Sequence, residues 1–198
     1  MRQSDVMVYL MTGFLDSGKT QFLTFTLEQD YFQIQGKTLL ILCEEGEEEY
    51  DPKEMLKYGV VIEKVEDKED LTEAWLEEMN RKHKPERVVV EYNGMWPVSD
   101  FEKLALPAGW KIEQKIATVD ASTFQMYLTN LKPLFVEMVK GAELVLFNRC
   151  EDIKPLAGYR RSVKVVSPQA EVIFEDEQGE VENIFEDDVP YDLDAPVI

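Results

Sequence analysis

The sequence predicts an α/β fold, with a mainly parallel sheet flanked by helices in three layers. Two observations predict it. Short apolar runs recur along the chain, and stretches of helical period separate them. The first of these runs feeds directly into a glycine-rich loop and then a helix.

The elements follow in order. VMVYLM (6–11) is an unbroken apolar run of the kind a strand buried on both faces needs, and after the loop a helix is expected to about Glu28. TLLILC (38–43) and GVVIEKV (59–65) read as the next strands. DLTEAWLEEMNRKH (70–83) reads as an amphipathic helix, with Asp70 and Glu73 at capping-box spacing and Leu71, Ala74, Trp75 and Met79 on one face. RVVVEYNG (87–94), IATVDAS (116–122) and ELVLFN (143–148) continue the strands, with a helical stretch through Met138 before the last of them. The segment 170–185 reads as a closing hairpin around Gln178–Gly179.

Length and charge narrow the function classes. A chain of 198 residues buries a real core as one domain, and no apolar run approaches the roughly 18 residues that span a bilayer. The net charge of -19 is concentrated at the end, because the last 28 residues hold 11 acids and no Lys or Arg. Residues 1–170 carry a milder 29 acids against 21 bases. A nucleic-acid groove needs a basic footprint, so nucleic acid is not an expected partner. The expected division is a nucleotide-binding domain over 1–175 and an acidic hairpin and tail over 176–198. The two cysteines give no disulfide framework and the N-terminus has no signal-peptide shape, so the expected location is the cytoplasm, without membrane insertion.

The loop GFLDSGKT carries the chemistry. In G-x-x-x-x-G-K-[ST], backbone N–H groups cradle phosphates, the lysine reaches the terminal phosphates and the hydroxyl serves Mg²⁺. Gly13, Asp16, Ser17, Gly18, Lys19, Thr20 and the following Gln21 are therefore the expected phosphate-binding residues of a three-layer P-loop NTPase fold. Further on, LVLFNRCED places Asn148, Arg149 and Glu151 directly after a buried strand. GTPases carry N-K-x-D at such a point, where a carboxylate accepts from two adjacent donors that guanine offers and adenine does not. Here arginine replaces the lysine and glutamate the aspartate; the extra methylene shifts the carboxylate and weakens the guanine preference.

These motifs, in this order, resemble the CobW-type P-loop GTPases, relatives of the GTPases that help load nickel into hydrogenase and urease. GFLDSGKT is similar to the family's G-F-L-G-S-G-K-T, and Cys43, Glu44, Glu45, Gly46, Glu47 and Asp51 match its N-E-F-G-E-x-x-x-D. EYNGMWPV aligns with E-x-T-G-x-x-x-P, its Pro97 one residue early, TVDAS with V-V-D-A, and SPQAEV with N-P-x-A, so that the resemblance implies Ser167 at the nucleotide. The resemblance covers residues 6 to about 173 and implies a slow, Mg²⁺-dependent GTPase in metal or metallocofactor trafficking. It implies that GTP or GDP is the ligand, that Lys19 neutralises the β- and γ-phosphates, and that Thr20 and Glu44 serve Mg²⁺. Glu44 would act in the first switch, near Mg²⁺ or the attacking water, and Glu91 and Gly94 in the second, these with Lys19 forming the catalytic set. It further implies a nucleotide-bridged homodimer, a client protein or permease as partner, and a C-terminal domain following the 198 residues.

Two departures bear on that expectation. Most of the family carries C-x-C-C between the switches for a transported metal such as zinc, cobalt or nickel, yet no cysteine stands between Asp51 and Glu91. Cys43 with Glu47 and its neighbouring acids is the alternative donor set, against a buried strand residue beside a solvated loop. A P-loop ATPase or small-molecule kinase, and a non-catalytic nucleotide-dependent binding module, stay open beside the GTPase. The second departure is Asp16, where the family has glycine. A carboxylate beside the γ-phosphate repels it, so Asp16→Gly should tighten GTP binding a few-fold and slow its release, measured with a fluorescent nucleotide. Unchanged affinity would refute this.

Overall fold

The computed structural model describes residues 5–44, 46, 49–153 and 155–180. Its eight strands are β1 (Val6–Thr12), β2 (Thr38–Leu42), β3 (Val60–Lys64), β4 (Arg87–Glu91), β5 (Trp110–Asp120), β6 (Leu144–Asn148), β7 (Glu171–Asp176) and β8 (Gly179–Glu180). They lie in the order β3-β2-β4-β1-β5-β6-β7-β8. All neighbouring pairs are parallel except the short closing pair β7–β8. The α-helices are α1 (Lys19–Glu28), α2 (Pro52–Lys57), α3 (Glu73–His83), α4 (Val98–Glu102), α5 (Phe124–Asn130), α6 (Lys132–Val139) and α7 (Ala157–Val166).

The burial explains why the strands were legible as apolar runs. Leu39, Leu40 and Ile41 of β2 and Val88, Val89 and Val90 of β4 are wholly buried, because helices or loops cover both faces. On one side Phe124, Phe135 and Phe147 anchor a core beneath α5, α6 and α7. A second core gathers Leu76 and Met79 of α3 with Val88, Val90 and Phe101, and a third packs Leu23 and Leu27 of α1 on Met11, Leu40 and Val89.

The topology fixes where a ligand sits. From β1 the chain runs out to β2 and β3, returns to β4 beside β1, and then crosses to β5 on the other flank. The strand order thus reverses at β1, and the crevice outside the carboxyl ends of β1, β4 and β5 is the binding position of such sheets. The register brings Glu91 beside Met11 and Leu42, and Asp120 beside Asn148.

Several boundaries differ from expectation for local reasons. Helix α3 does not begin with a capping box at Asp70. Lys68–Asp70 forms a 3₁₀ turn, the Thr72 hydroxyl caps the helix by accepting from Trp75 N (3.2 Å), and Glu73 accepts from Ala105 N (2.9 Å). Ala74 faces solvent, and Leu76 and Met79 carry the buried face. Helix α2 was not anticipated, although Asp51 at the N-cap and Pro52 in the first turn are its signals. Strand β5 starts at Trp110 rather than at Ile116, and its first half alternates exposed and half-buried residues, which does not read as an apolar run. The helical stretch before β6 is two helices, broken at Leu131 ahead of Pro133. The hairpin closes through the 177–178 turn, Asp176 pairing with Gly179, and residues 181–185 of the expected hairpin lie outside the described residues.

Phe147 is wholly buried, stacked on Phe174 (5.0 Å between centroids) and edge-on to Phe124 (5.2 Å). Phe147→Ala should therefore cost about 3–5 kcal/mol, seen in urea as a lower midpoint at unchanged slope.

Candidate functional site

The loop between β1 and α1 wraps its own lysine. Lys19 is buried, and its Nζ donates to the carbonyls of Gly13 (2.8 Å) and Phe14 (2.9 Å) while pairing with Glu44 Oε2 at 2.6 Å. A buried ammonium needs such complete pairing, because desolvation without partners is costly. Helix α1 starts at Lys19 with no side-chain cap, so its N-terminal amides face the crevice, the arrangement that suits an anion.

Close approach demands glycine at Gly13, Gly18 and Gly94. Gly18 lies at φ 86, and a β-carbon there would stand 2.5 Å from Asn148 Nδ2. At Gly94 a β-carbon would fall 2.2 Å from the Gly13 carbonyl oxygen, so the segment after β4 rests directly on the phosphate loop. Asp16 occupies left-handed backbone at φ 58, which explains why glycine suits the position and why aspartate, tolerant of that region, can replace it. Its side chain is exposed, and its carbonyl accepts from Arg149.

Beside the loop, Thr20 Oγ1 donates to Glu91 Oε1 (2.9 Å), and the Tyr50 hydroxyl donates to Glu91 Oε2 (2.5 Å). Burial pushes the Glu91 carboxyl up, the Tyr50 and Thr20 hydrogen bonds and the Lys19 charge pull it down, and Glu44 adds repulsion; the net direction is upward. Tyr50 was not singled out from the sequence. Its signal there was only its place, directly before the Asp51–Pro52 helix start.

On the other flank, Asn148 Nδ2 donates to the Ser17 carbonyl (2.8 Å), while its buried Oδ1 has no hydrogen-bond partner among the described residues. Arg149 Nη1 bridges the Asp16 carbonyl (2.8 Å) and Asp120 Oδ2 (2.6 Å). Burial raises the Asp120 carboxyl, but the Ser122 and Arg149 hydrogen bonds outweigh it and hold it below the usual range. Gln21, Asn148, Arg149 and Glu151 line one groove, whose far rim is the β7–β8 turn. That rim, with Glu175 accepting from Cys150 N, was not anticipated as part of the site.

Two expected residues, Ser167 and Cys43, do not open on the crevice. Ser167 precedes β7 and bonds the Ala142 carbonyl ahead of β6, at the amino ends of the strands and opposite the crevice. The resemblance to N-P-x-A placed it at the nucleotide; the segment that reaches the crevice is instead the carboxyl end of β7. Cys43 is wholly buried, and burial, then Glu91 and Glu44, push its thiol far up, so it is held protonated. Glu47 lies outside the described residues. Among the described residues no group of three or more His, Cys, Asp or Glu side chains is gathered for a metal, and no helix is long and apolar enough to cross a membrane.

A parallel sheet with a phosphate loop at its point of strand reversal defines a P-loop nucleotide-binding domain. The chain belongs to the CobW/HypB/UreG family, whose nucleotide-binding domain matches over residues 7–174. Among solved structures it is similar to the hydrogenase maturation factor HypB of Archaeoglobus fulgidus (19% identity, 88% of this chain and 82% of that one, TM-score 0.58). It is similar also to the zinc-bound YjiA GTPase of E. coli (21% identity, 91% and 60%, TM-score 0.63). HypB of Helicobacter pylori in complex with nickel shares 14% identity over 88% of this chain and 80% of that one, with a TM-score of 0.55. This chain therefore spans about three fifths of YjiA's length. No curated protein matches it.

Because the folded state raises the Glu91 carboxyl, native protein holds that proton more tightly than unfolded chain. Stability from this group is greatest below the unfolded value, near pH 4, and falls as pH rises through the folded value. Glu91→Gln should thus be more stable than the parent at pH 7.5, the advantage shrinking toward pH 4 in parallel thermal melts.

Proposed function

We propose that the chain is a guanine-nucleotide switch domain that binds and slowly hydrolyses GTP with Mg²⁺, in the service of metal or metallocofactor trafficking. The observation that carries this reading is the Lys19–Glu44 pair. An anionic partner already sits on the phosphate-loop lysine, and that partner belongs to the loop after β2, the expected first switch. A γ-phosphate competes with Glu44 for the same ammonium. Its arrival releases the loop, and its loss lets the carboxylate return.

The oxygen donors suit a hard divalent cation. Thr20 donates its proton to Glu91, which turns the hydroxyl lone pairs outward, and the adjoining cavity of about 160 Å³ is lined also by Glu44, Glu49 and Tyr50. Thr20 would hold Mg²⁺, with Glu44 and Glu91 nearby; bound there, the ion neutralises charge on the phosphate oxygens. The protein's own part is positioning: Lys19 and the α1 amides take the phosphates, and Gly94 brings its backbone N–H to the γ-phosphate. Glu44, lining the same crevice as Glu91, stands near Mg²⁺ or the attacking water, and slow turnover follows if a partner supplies the group that positions that water.

For the base, Asn148 and Glu151 line the same groove, and Glu151 supplies a carboxylate. That carboxylate suits guanine's adjacent exocyclic and ring N–H groups. The metal role rests on family membership and on the zinc- and nickel-bound relatives, not on a cage in this chain. Cytoplasmic location and a nucleotide-bridged dimer belong to the same reading, with exposed Leu15 and Met95 flanking the crevice.

Calorimetric titration with GDP and then ADP in Mg²⁺, with and without equimolar Zn²⁺, tests it. GDP should bind at least tenfold more tightly than ADP. Equal affinities, or a preference for ADP, would overturn the guanine assignment, and a Zn²⁺-dependent change in affinity is the result expected of a metal role.

A further inference from the structure

Among the described residues that bond Lys19, Thr20 or Glu91 through a side chain, Tyr50 is one to which the motifs assign no role. It is half-buried at the end of the acidic loop 44–50, and the backbone turns into α2 immediately afterwards, fixed by Asp51 accepting from Lys53 N (2.8 Å) behind Pro52. The described residues at its two ends are both held. Glu44 at its start pairs with Lys19, and Tyr50 at its end bonds Glu91.

The hydrogen bonds run in one direction. The Tyr50 hydroxyl donates to Glu91 Oε2, and Glu91 Oε1 accepts from Thr20. Each carboxylate oxygen thus has its own donor, and the plane of a buried carboxylate is set by both. A threonine hydroxyl has one proton and two lone pairs, so the direction of its donated proton dictates where the lone pairs point. With Glu91 held, the Thr20 lone pairs are aimed into the crevice. Without the tyrosine hydroxyl, Glu91 Oε2 loses its donor in a buried position, and the carboxylate has reason to turn away and take the Thr20 proton with it.

Resting on the Mg²⁺-nucleotide reading above, we propose that Tyr50 is a positioning residue of the divalent-cation site: through Glu91 it orients Thr20 and thereby sets how tightly Mg²⁺ is held with nucleotide. The same contact ties the cation site to the start of α2, which follows Tyr50 directly.

The test is Tyr50→Phe, which keeps the ring and removes only the hydroxyl. Tyr58→Phe, the same deletion at a tyrosine of the α2 end that does not touch Glu91, serves as control. Fluorescent GDP is titrated into each protein in EDTA and across a Mg²⁺ series, with a thermal melt of each. Tyr50→Phe should raise the Mg²⁺ concentration for half-maximal enhancement of nucleotide affinity about tenfold, the size expected for a hydrogen bond to a charged group. Affinity in EDTA should stay unchanged, and Tyr58→Phe should match the parent in both. A merely structural role would weaken binding equally in EDTA and in Mg²⁺, or lower the melting temperature without moving the Mg²⁺ dependence. Either result overturns the proposal, as does a Mg²⁺ midpoint within twofold of the parent. Failure is separable from that of the parent reading. If the unmodified chain binds no guanine nucleotide, or binds it without regard to Mg²⁺, the switch-domain reading falls and this inference falls with it.

Discussion

An ammonium group withdrawn from water must find a full set of acceptors, and the crevice of this protein is organised around that requirement at Lys19. Two acceptors are carbonyls of the phosphate loop, and the third is a carboxylate delivered from the far end of β2. The carbonyls come from the lysine's own loop, which therefore curls back over its side chain. Glu44 comes from a neighbouring segment, which that attraction draws toward the loop. The carbonyls are fixed, but the carboxylate is exchangeable for any better anion. One salt bridge thus shapes the loop and also marks the place where a ligand can displace part of the structure.

The sheet makes this arrangement available. Because the strand order reverses at β1, the ends of β4 and β5 flank the loop from opposite sides. Glu91 arrives from one flank with its partner Tyr50, and Asp120 with Asn148 and Arg149 arrives from the other. The phosphate loop is held by side chains from both halves of the molecule without a covalent link between them.

Much of this was legible in the sequence, and the legible parts share a cause. The strands at the centre of the sheet are buried on both faces and so read as apolar runs, and the glycine–lysine–threonine spacing has few other uses. The family resemblance agrees with the family match over residues 7–174. What stayed hidden depends on contacts between distant segments. Nothing local to Tyr50 tells that its hydroxyl reaches Glu91, and β5 escaped over its first half because exposed Lys111 and Glu113 interrupt the apolar pattern. Asp70 has the right spacing for a cap, but Thr72 lies where the 3₁₀ turn ends and takes that role. Ser167 shows how a short motif can be matched while the element after it, β7, carries the chain to the other end of the sheet.

Asn148 donates to the Ser17 carbonyl and Arg149 to the Asp16 carbonyl. These bonds join the segment proposed to contact the base to the loop that surrounds the phosphates, so neither can shift without the other. A ligand that filled only one of the two places would still pay for ordering both. Occupation of either place therefore favours occupation of the other, and by thermodynamic reciprocity the coupling has the same magnitude in each direction. The arrangement favours whole nucleotides over their fragments, such as a free base or inorganic phosphate.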